Sequence, residues 1–319
     1  MKIILFANSF YPIELIGSLL KQDMIAGVIA ASELNPYNVR LEESVVSMGI
    51  PFIRFSSSEL SSTAPEWIKN KKPDVLLVFT FGYKIPGILL EIPPLGAYNV
   101  HFSLLPKYRG LAPVFWQIKN GDLNGGLTIH KMDTGFDTGP VVSQFPVTIY
   151  PGESQGVYAA RLSHAVVEMV LSALERIRTQ ASSAYLKAQD ENQVTYYKAP
   201  EASDLAINWL SQTAQQIINL VNAANPACQG AIAMFRGQVI RVLEVSMAMP
   251  GEGTLKQTPG TIVHADLVHG LFVQCIHGEF LRINVVEMAE GVFSGFTMAA
   301  LGAKVGEVLE TFNSKAVHV

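Results

Sequence analysis

Short apolar runs alternate with amphipathic stretches through the first hundred residues. Ile3–Ala7, Ile25–Ala30, Ile50–Phe55, Val75–Phe79 and Ala97–His101 are apolar or β-branched, and polar, Gly or Pro positions bound each of them. Between them, Pro12–Lys21, Leu41–Met48 and Pro65–Asn70 carry the spacing of helices with one apolar face. This rhythm predicts a mostly parallel sheet covered by helices on both faces. Leu127–Lys131 and Val141–Val147 read as two further strands. Ser154–Arg178 reads as a long helix, because Leu162, Val166, Met169, Val170, Ala173, Leu174 and Ile177 recur at i, i+3 and i+4. From Thr179 to Asp204 the period fades, and we read a connecting segment with one hairpin, Tyr185–Ala188 against Val194–Tyr197. A helix, Thr213–Ala224, then stops at Asn225-Pro226. Five short strands follow: Ala231–Phe235, Gln238–Val245, Gly260–Ala265, Leu271–Gln274 and Phe280–Val286. Their Gly-bearing turns, Phe235–Gln238 and Cys275–Glu279, predict a small barrel or sandwich.

Composition narrows this picture. The 319 residues suffice for two domains with a sizeable core. We divide the chain into an N-terminal domain over 1–185, a linker over 186–206 and a second domain over 207–319. Apolar residues at 49% against 16% charged argue for a packed protein, and a formal charge of −4 gives no overall basic field for nucleic acid. Cys228 and Cys275 lack metal-ligand spacing and read as inert thiols in a reducing compartment. The seven histidines show no metal cluster in the sequence, and His264, His269, His277 and His318 read as surface or turn residues. The first apolar run is too short for a signal sequence, so a cytoplasmic location is expected. Leu205–Phe235 carries no charge, but Asn208, Gln212, Gln215, Gln216, Asn219, Asn222 and Asn225 are costly in lipid, and we expect no membrane span.

Ligands of parallel sheets bind beyond the carboxyl ends of the strands, and the fifth strand ends in Asn99-Val100-His101. Side chains two apart share one face of a strand, so Asn99 and His101 point together. An imidazole titrates near working pH and suits proton transfer. A neutral amide donates to a developing oxyanion without adding charge. Asp137, between Gly135 and Gly139, is placed to orient the imidazole and favour its protonated form.

The runs Asn99–Pro106, Lys107-Tyr108-Arg109-Gly110 and Asp133–Gly139, in this order, resemble the active-site signature of the folate-dependent formyltransferases. The resemblance implies a Rossmann-like α/β core that transfers a formyl group from 10-formyltetrahydrofolate to an amine, with no metal. In family terms, Asn99, His101 and Asp137 form the catalytic trio. Ser103, Leu104, Leu105 and Pro106 would line the folate pocket. Phe81, Gly82 and Ile85, within Phe81–Pro86, would belong to a loop packed on the pterin, and Asp133 and Gly135 to the pocket wall. Ile207-Asn208-Trp209 and Asn225–Ala231 resemble the second, OB-like β-barrel domain of methionyl-tRNA formyltransferases.

One departure bears on the acceptor. Methionyl-tRNA formyltransferases carry a long Arg- and Lys-rich insertion after the second strand, whereas Ala31–Glu43 here is short, with Arg40 against Glu33, Glu42 and Glu43. Phosphate contact depends on Lys and Arg displacing counterions. From Asn208 onward, six basic residues (Arg236, Arg241, Lys256, Arg282, Lys304, Lys315) face eight acidic ones. The turn Asn8-Ser9-Phe10-Tyr11-Pro12 also replaces a Gly-containing turn of the family. A non-tRNA amine, such as an amino-sugar nucleotide, is therefore expected as acceptor ahead of initiator methionyl-tRNA. An amine on a peptide or carrier is a third reading. A non-catalytic folate-binding module is the alternative from another class, and the intact trio argues against it.

Overall fold

The computed structural model describes residues 1–179, 185–249 and 257–312; Lys256, Lys315, His318 and residues 180–184 of the connecting segment lie outside these. The chain divides into two compact units. The first comprises Met1–Pro113, Asn124–Thr148 and Ala159–Lys198, and the second Val114–Leu123, Ile149–Tyr158 and the chain from Ala199 onward.

In the first unit the strands are β1 (Ile3–Ala7), β2 (Ile25–Ala31), β3 (Phe52–Phe55), β4 (Val75–Phe79), β5 (Ala97–His101), β6 (Arg109–Gly110), β7 (Asn124–Lys131), β8 (Val141–Thr148) and β9 (Tyr196–Tyr197). The main sheet runs β3-β2-β1-β4-β5-β7-β8. Its first five strands are parallel, and β7 and β8 return antiparallel. The order reverses between β1 and β4, the crevice where such sheets bind ligands. In β1 and β4 every residue is buried, as expected of strands covered on both faces. β3 starts at Phe52, later than the expected Ile50, because Pro51 has no N–H to donate; its carbonyl instead accepts from Val28 at 2.9 Å.

The helix Ile13–Lys21 buries Leu15, Ile16 and Leu19. Pro36–Ser47 starts on Asn35, whose side chain accepts from the Tyr37 and Asn38 amides while Asn38 reaches back to the Asn35 amide. The helix Gln155–Thr179 is long and apolar enough by composition to cross a membrane. Its stripe of Leu162, Val166, Val170 and Leu174 is buried, as in the core helix of a folded domain.

The expected hairpin Tyr185–Ala188 against Val194–Tyr197 does not form. Lys187 exchanges two 2.8 Å backbone bonds with Val141, and β9 pairs in parallel with β6. Both runs find better partners far away in sequence.

The second unit holds β10 (Ala231–Phe235), β11 (Gln238–Ala248), β12 (Ile262–Asp266), β13 (Gly270–Gln274), β14 (Phe280–Met288), β15 (Gly291–Ser294) and β16 (Leu309–Thr311). Antiparallel pairing gives the order β12-β13-β14-β11-β10-β16, with β15 beside β14. Bonds from the Ile262 amide to Glu307 and from the Leu309 amide to Gly260, each 2.8 Å, link the two ends of this sheet. It therefore curls toward closure as a small antiparallel barrel. The helix Ala214–Ala224 begins with a reciprocal cap between Thr213 and Gln216.

Candidate active site

β5 ends among a cluster of polar and titratable side chains. Asn99 is half-buried and His101 is 5% exposed. Antiparallel pairing places His130 of β7 directly opposite Asn99. The β7–β8 connection returns Asp137 to the same place, in the left-handed region at φ 55°, which Asp tolerates better than most residues.

The four side chains form one network. Asp137 Oδ1 accepts from Asn99 Nδ2 at 3.0 Å and lies 3.2 Å from His130 Nε2. Asp137 Oδ2 accepts from the Gly110 amide at 2.9 Å and lies 3.6 Å from His101 Nδ1. His101 Nε2 is 2.7 Å from the Tyr108 carbonyl. A carbonyl only accepts, so Nε2 carries a proton and Nδ1 is the nitrogen left to gain one.

Burial pushes the His101 imidazole below its ordinary value, and the opposing pulls of Asp137 and the Tyr108 carbonyl do not overcome it. The resting imidazole is neutral. Asp137 pulls toward the protonated form, but the cost of burying a charge exceeds that attraction. Burial alone would raise the Asp137 carboxyl. Its pairing with the His101 and His130 imidazoles and the Gly110 amide outweighs this and holds the group well below the usual carboxylate range.

The expectation for Asn99 is also refined. Its amide nitrogen is engaged at rest, with His130 Nε2 a further contact at 3.2 Å. His130 is the member that sequence reading missed. Period-2 alternation places it on one face with Thr128, but its partner Asn99 is fixed only by the β5–β7 register.

The residues expected to hold folate occupy three loops, after β5, after β4 and between β7 and β8. Ser103 and Leu105 are buried, and Leu104 and Pro106 are partly exposed. The Ser103 hydroxyl donates to the Lys107 carbonyl at 2.7 Å, and Thr128 and Gln144 hold the Ser103 and Leu105 carbonyls at 2.6 and 2.7 Å. At the end of β4, Gly82 is exposed, while Phe81 packs edge-on against Phe6 and Tyr83 and Ile85 is buried in the core. The Tyr83 hydroxyl in this loop is buried and has no hydrogen-bond partner among the described residues. Asp133 is exposed, and its Oδ1 accepts from the Gly135 amide at 2.9 Å and the Thr138 hydroxyl at 2.5 Å. Its carboxylate thus shapes its own turn. A Cβ on Gly135 would lie 2.0 Å from the Thr138 hydroxyl, so the turn requires glycine.

Elsewhere, His264, Asp266 and His269 converge at the β12–β13 turn of the second unit, with donor atoms within 4.8 Å of one another. The sequence reading of no histidine cluster is corrected here: folding the turn brings together residues whose spacing matches no common metal motif.

Residues 19–174 match the formyl transferase family and residues 201–293 the formyl transferase C-terminal domain. A methionyl-tRNA formyltransferase of Trichlorobacter lovleyi is 35% identical over 216 residues, 68% of this chain and 65% of that protein. One from Geotalea daltonii is 33% identical over 246 residues, covering 76% of each. The chain thus spans about two thirds of the length of the curated relatives it first matches. In fold it is similar to an N-formyltransferase from Helicobacter canadensis solved with folinic acid and dTDP-3-aminofucose. That match has TM-score 0.64 and 16% identity, over 88% of this chain and 98% of the other.

Proposed function

Because the chain belongs to the formyl transferase family, we propose that it moves the formyl group of 10-formyltetrahydrofolate onto a primary amine. The observation that carries this reading is the convergence of Asn99, His101 and Asp137 at the end of β5. The donor supplies an electrophilic formyl carbon. His101, neutral at rest, takes a proton at Nδ1 from the amine attacking the formyl carbon and returns it to the folate nitrogen as that nitrogen's bond to the formyl carbon breaks and tetrahydrofolate leaves. Asp137, 3.6 Å away, stabilises the imidazolium so formed. The Asn99 amide has two N–H groups; one donates to Asp137 Oδ1 and the other is offered to the developing oxyanion. No step requires a metal.

For the acceptor we favour a non-tRNA amine such as an amino-sugar nucleotide. β2 passes into the helix Pro36–Ser47 within Ser32–Asn35, which leaves no room for a long basic insertion. Arg40, the one basic residue of that stretch, lies over the Phe10 ring at 4.8 Å. Phe10 also stacks on Tyr37 and packs on Tyr11, which builds an aromatic surface. The second reading is initiator methionyl-tRNA, favoured by relatives of that name at 35% identity. The test is formyl transfer from 10-formyltetrahydrofolate to amino-sugar nucleotides and, in parallel, to charged initiator tRNA, with Asp137→Ala as the blank. Transfer to tRNA alone overturns the acceptor assignment, and transfer to neither acceptor alongside folate binding directs the search to other amines. Absence of folate binding overturns the whole reading.

A further inference from the structure

The segment Lys187–Tyr197 falls outside both family-matched regions, which end at residue 174 and resume at 201. In the first unit it lies along residues 106–111 and the β7–β8 connection. The Tyr108 amide donates to the Thr195 hydroxyl at 2.8 Å, and the Arg109 and Leu111 amides donate to the Thr195 and Tyr197 carbonyls at 2.9 Å each. These bonds fix the two backbone groups that the site depends on, namely the Tyr108 carbonyl that takes His101 Nε2–H and the Gly110 amide that donates to Asp137. Gly110 is at φ +98°, and a Cβ there would stand 2.2 Å from the Tyr197 carbonyl.

Gln189 is the centre of this strap. Its amide nitrogen donates to the carbonyls of Asp137 and Gly139, both at 2.7 Å. Its Oε1 accepts from Arg109 Nε and Nη2 at 3.0 and 2.9 Å. Arg109, 1% exposed, spends its remaining N–H groups on Glu191 and on the Tyr196 hydroxyl. All five guanidinium donors are therefore used. Of the polar side chains, only an amide both donates to the loop carbonyls and accepts from the guanidinium. A carboxylate keeps the second contact and loses the first.

We propose that Gln189 is a positioning residue for catalysis. By clamping both sides of Asp137 from a strap fixed on Arg109, it holds the carboxylate against His101 in an otherwise unfavoured backbone conformation. This rests on the formyl-transfer reading for its kinetic consequence, but not for its geometry.

Two variants separate the roles. Gln189→Met removes all four bonds. Gln189→Glu keeps the Arg109 contact, so the strap stays docked and only the loop bonds are lost. Both should lower kcat by about 10–100-fold, the cost of small misplacement of a reacting group, with KM for 10-formyltetrahydrofolate within about two-fold. The titration of His101, followed by NMR of histidine-labelled protein, should move to lower pH as the carboxylate drifts away. Unchanged kcat in Gln189→Glu, with or without a lower Tm, overturns the proposal, as does an unmoved His101 titration. If the wild-type protein transfers no formyl group, the activity reading fails, and the shifted His101 titration still establishes the clamp.

Discussion

Asp137 and Asp266 each face two imidazoles, one set gathered from β5, β7 and a loop, the other from a single turn. Asp137 Oδ1 lies 3.2 Å from His130 Nε2 and its Oδ2 lies 3.6 Å from His101 Nδ1. Asp266 Oδ2 lies 2.8 Å from His264 and 3.0 Å from His269. Both carboxyls are held well below the usual range. Asp266 owes this to the His269 side chain and amide, the Val268 amide and His264, whereas Asp137 reaches it against the cost of burial. The Asp137 side chain is 10% exposed, and that of Asp266 is 36% exposed beside histidines at 46% and 65%. Water and salt screen the exposed set, so its contacts contribute little. The buried set feels its charges at full strength. Residue type is the same in the two places; the surrounding fold decides whether it serves chemistry.

Replacing the carboxylates breaks the comparison most sharply. Asp137→Ala and His101→Ala should each lower kcat by about 10³-fold or more in a formyl-transfer assay, with folate retention measured by equilibrium binding. Wild-type-like turnover in either variant removes the assignment.

Gly110→Ala should come next. The strained φ and the clash with Tyr197 cost about 1–3 kcal/mol, read in a denaturant titration, and kcat should fall by about 10²-fold as the amide leaves Asp137. A variant as active and stable as the parent would show that the anchor is dispensable.

Protonation gives a smaller effect of definite sign. His101 has a lowered pKa in the folded state, so on acidification the unfolded chain binds its proton first. The stability it confers is complete above the ordinary imidazole value of about 6.5 and declines as pH falls below it. Asp137 contributes in a lower window: its stabilisation is present above the ordinary carboxyl value of about 3.9 and is lost as pH falls through its depressed folded value. Thermal midpoints measured against pH should therefore bend below neutrality, and His101→Gln should flatten the upper part of that bend. A profile unchanged by the substitution would show that folding leaves the His101 titration unshifted.

The smallest effects belong to the exposed set. His264→Ala, Asp266→Ala and His269→Ala should leave transfer within about two-fold of the parent, and a chelator should leave it unchanged. A large loss in either experiment would give the β12–β13 turn a role in the reaction.

Much of this was legible in the sequence where the controlling contacts are local. β1, β4 and β5 have the expected bounds because each is a fully apolar or alternating run ended by Asn8, Thr80 or Phe102-Ser103. Asn99, His101 and Asp137 were accessible from alternation and from a family signature. What escaped depends on pairing at a distance. His130 meets Asn99 through the β5–β7 register, and the run Val194–Tyr197, locally a plausible hairpin arm, is claimed by residues 106–111. The net direction of the His101 shift was out of reach for a related reason. The sequence shows the nearby carboxylate, but the burial that outweighs it is a property of the assembled layers.

Arg109 also has a consequence for the order in which the molecule is made. It leaves the site of synthesis 80 residues ahead of Gln189 and 87 ahead of Tyr196, the partners that satisfy it. The contacts that satisfy its guanidinium can form only after the later segment has been made, so the loop that carries Arg109 is the last part of this unit to gain its native partners.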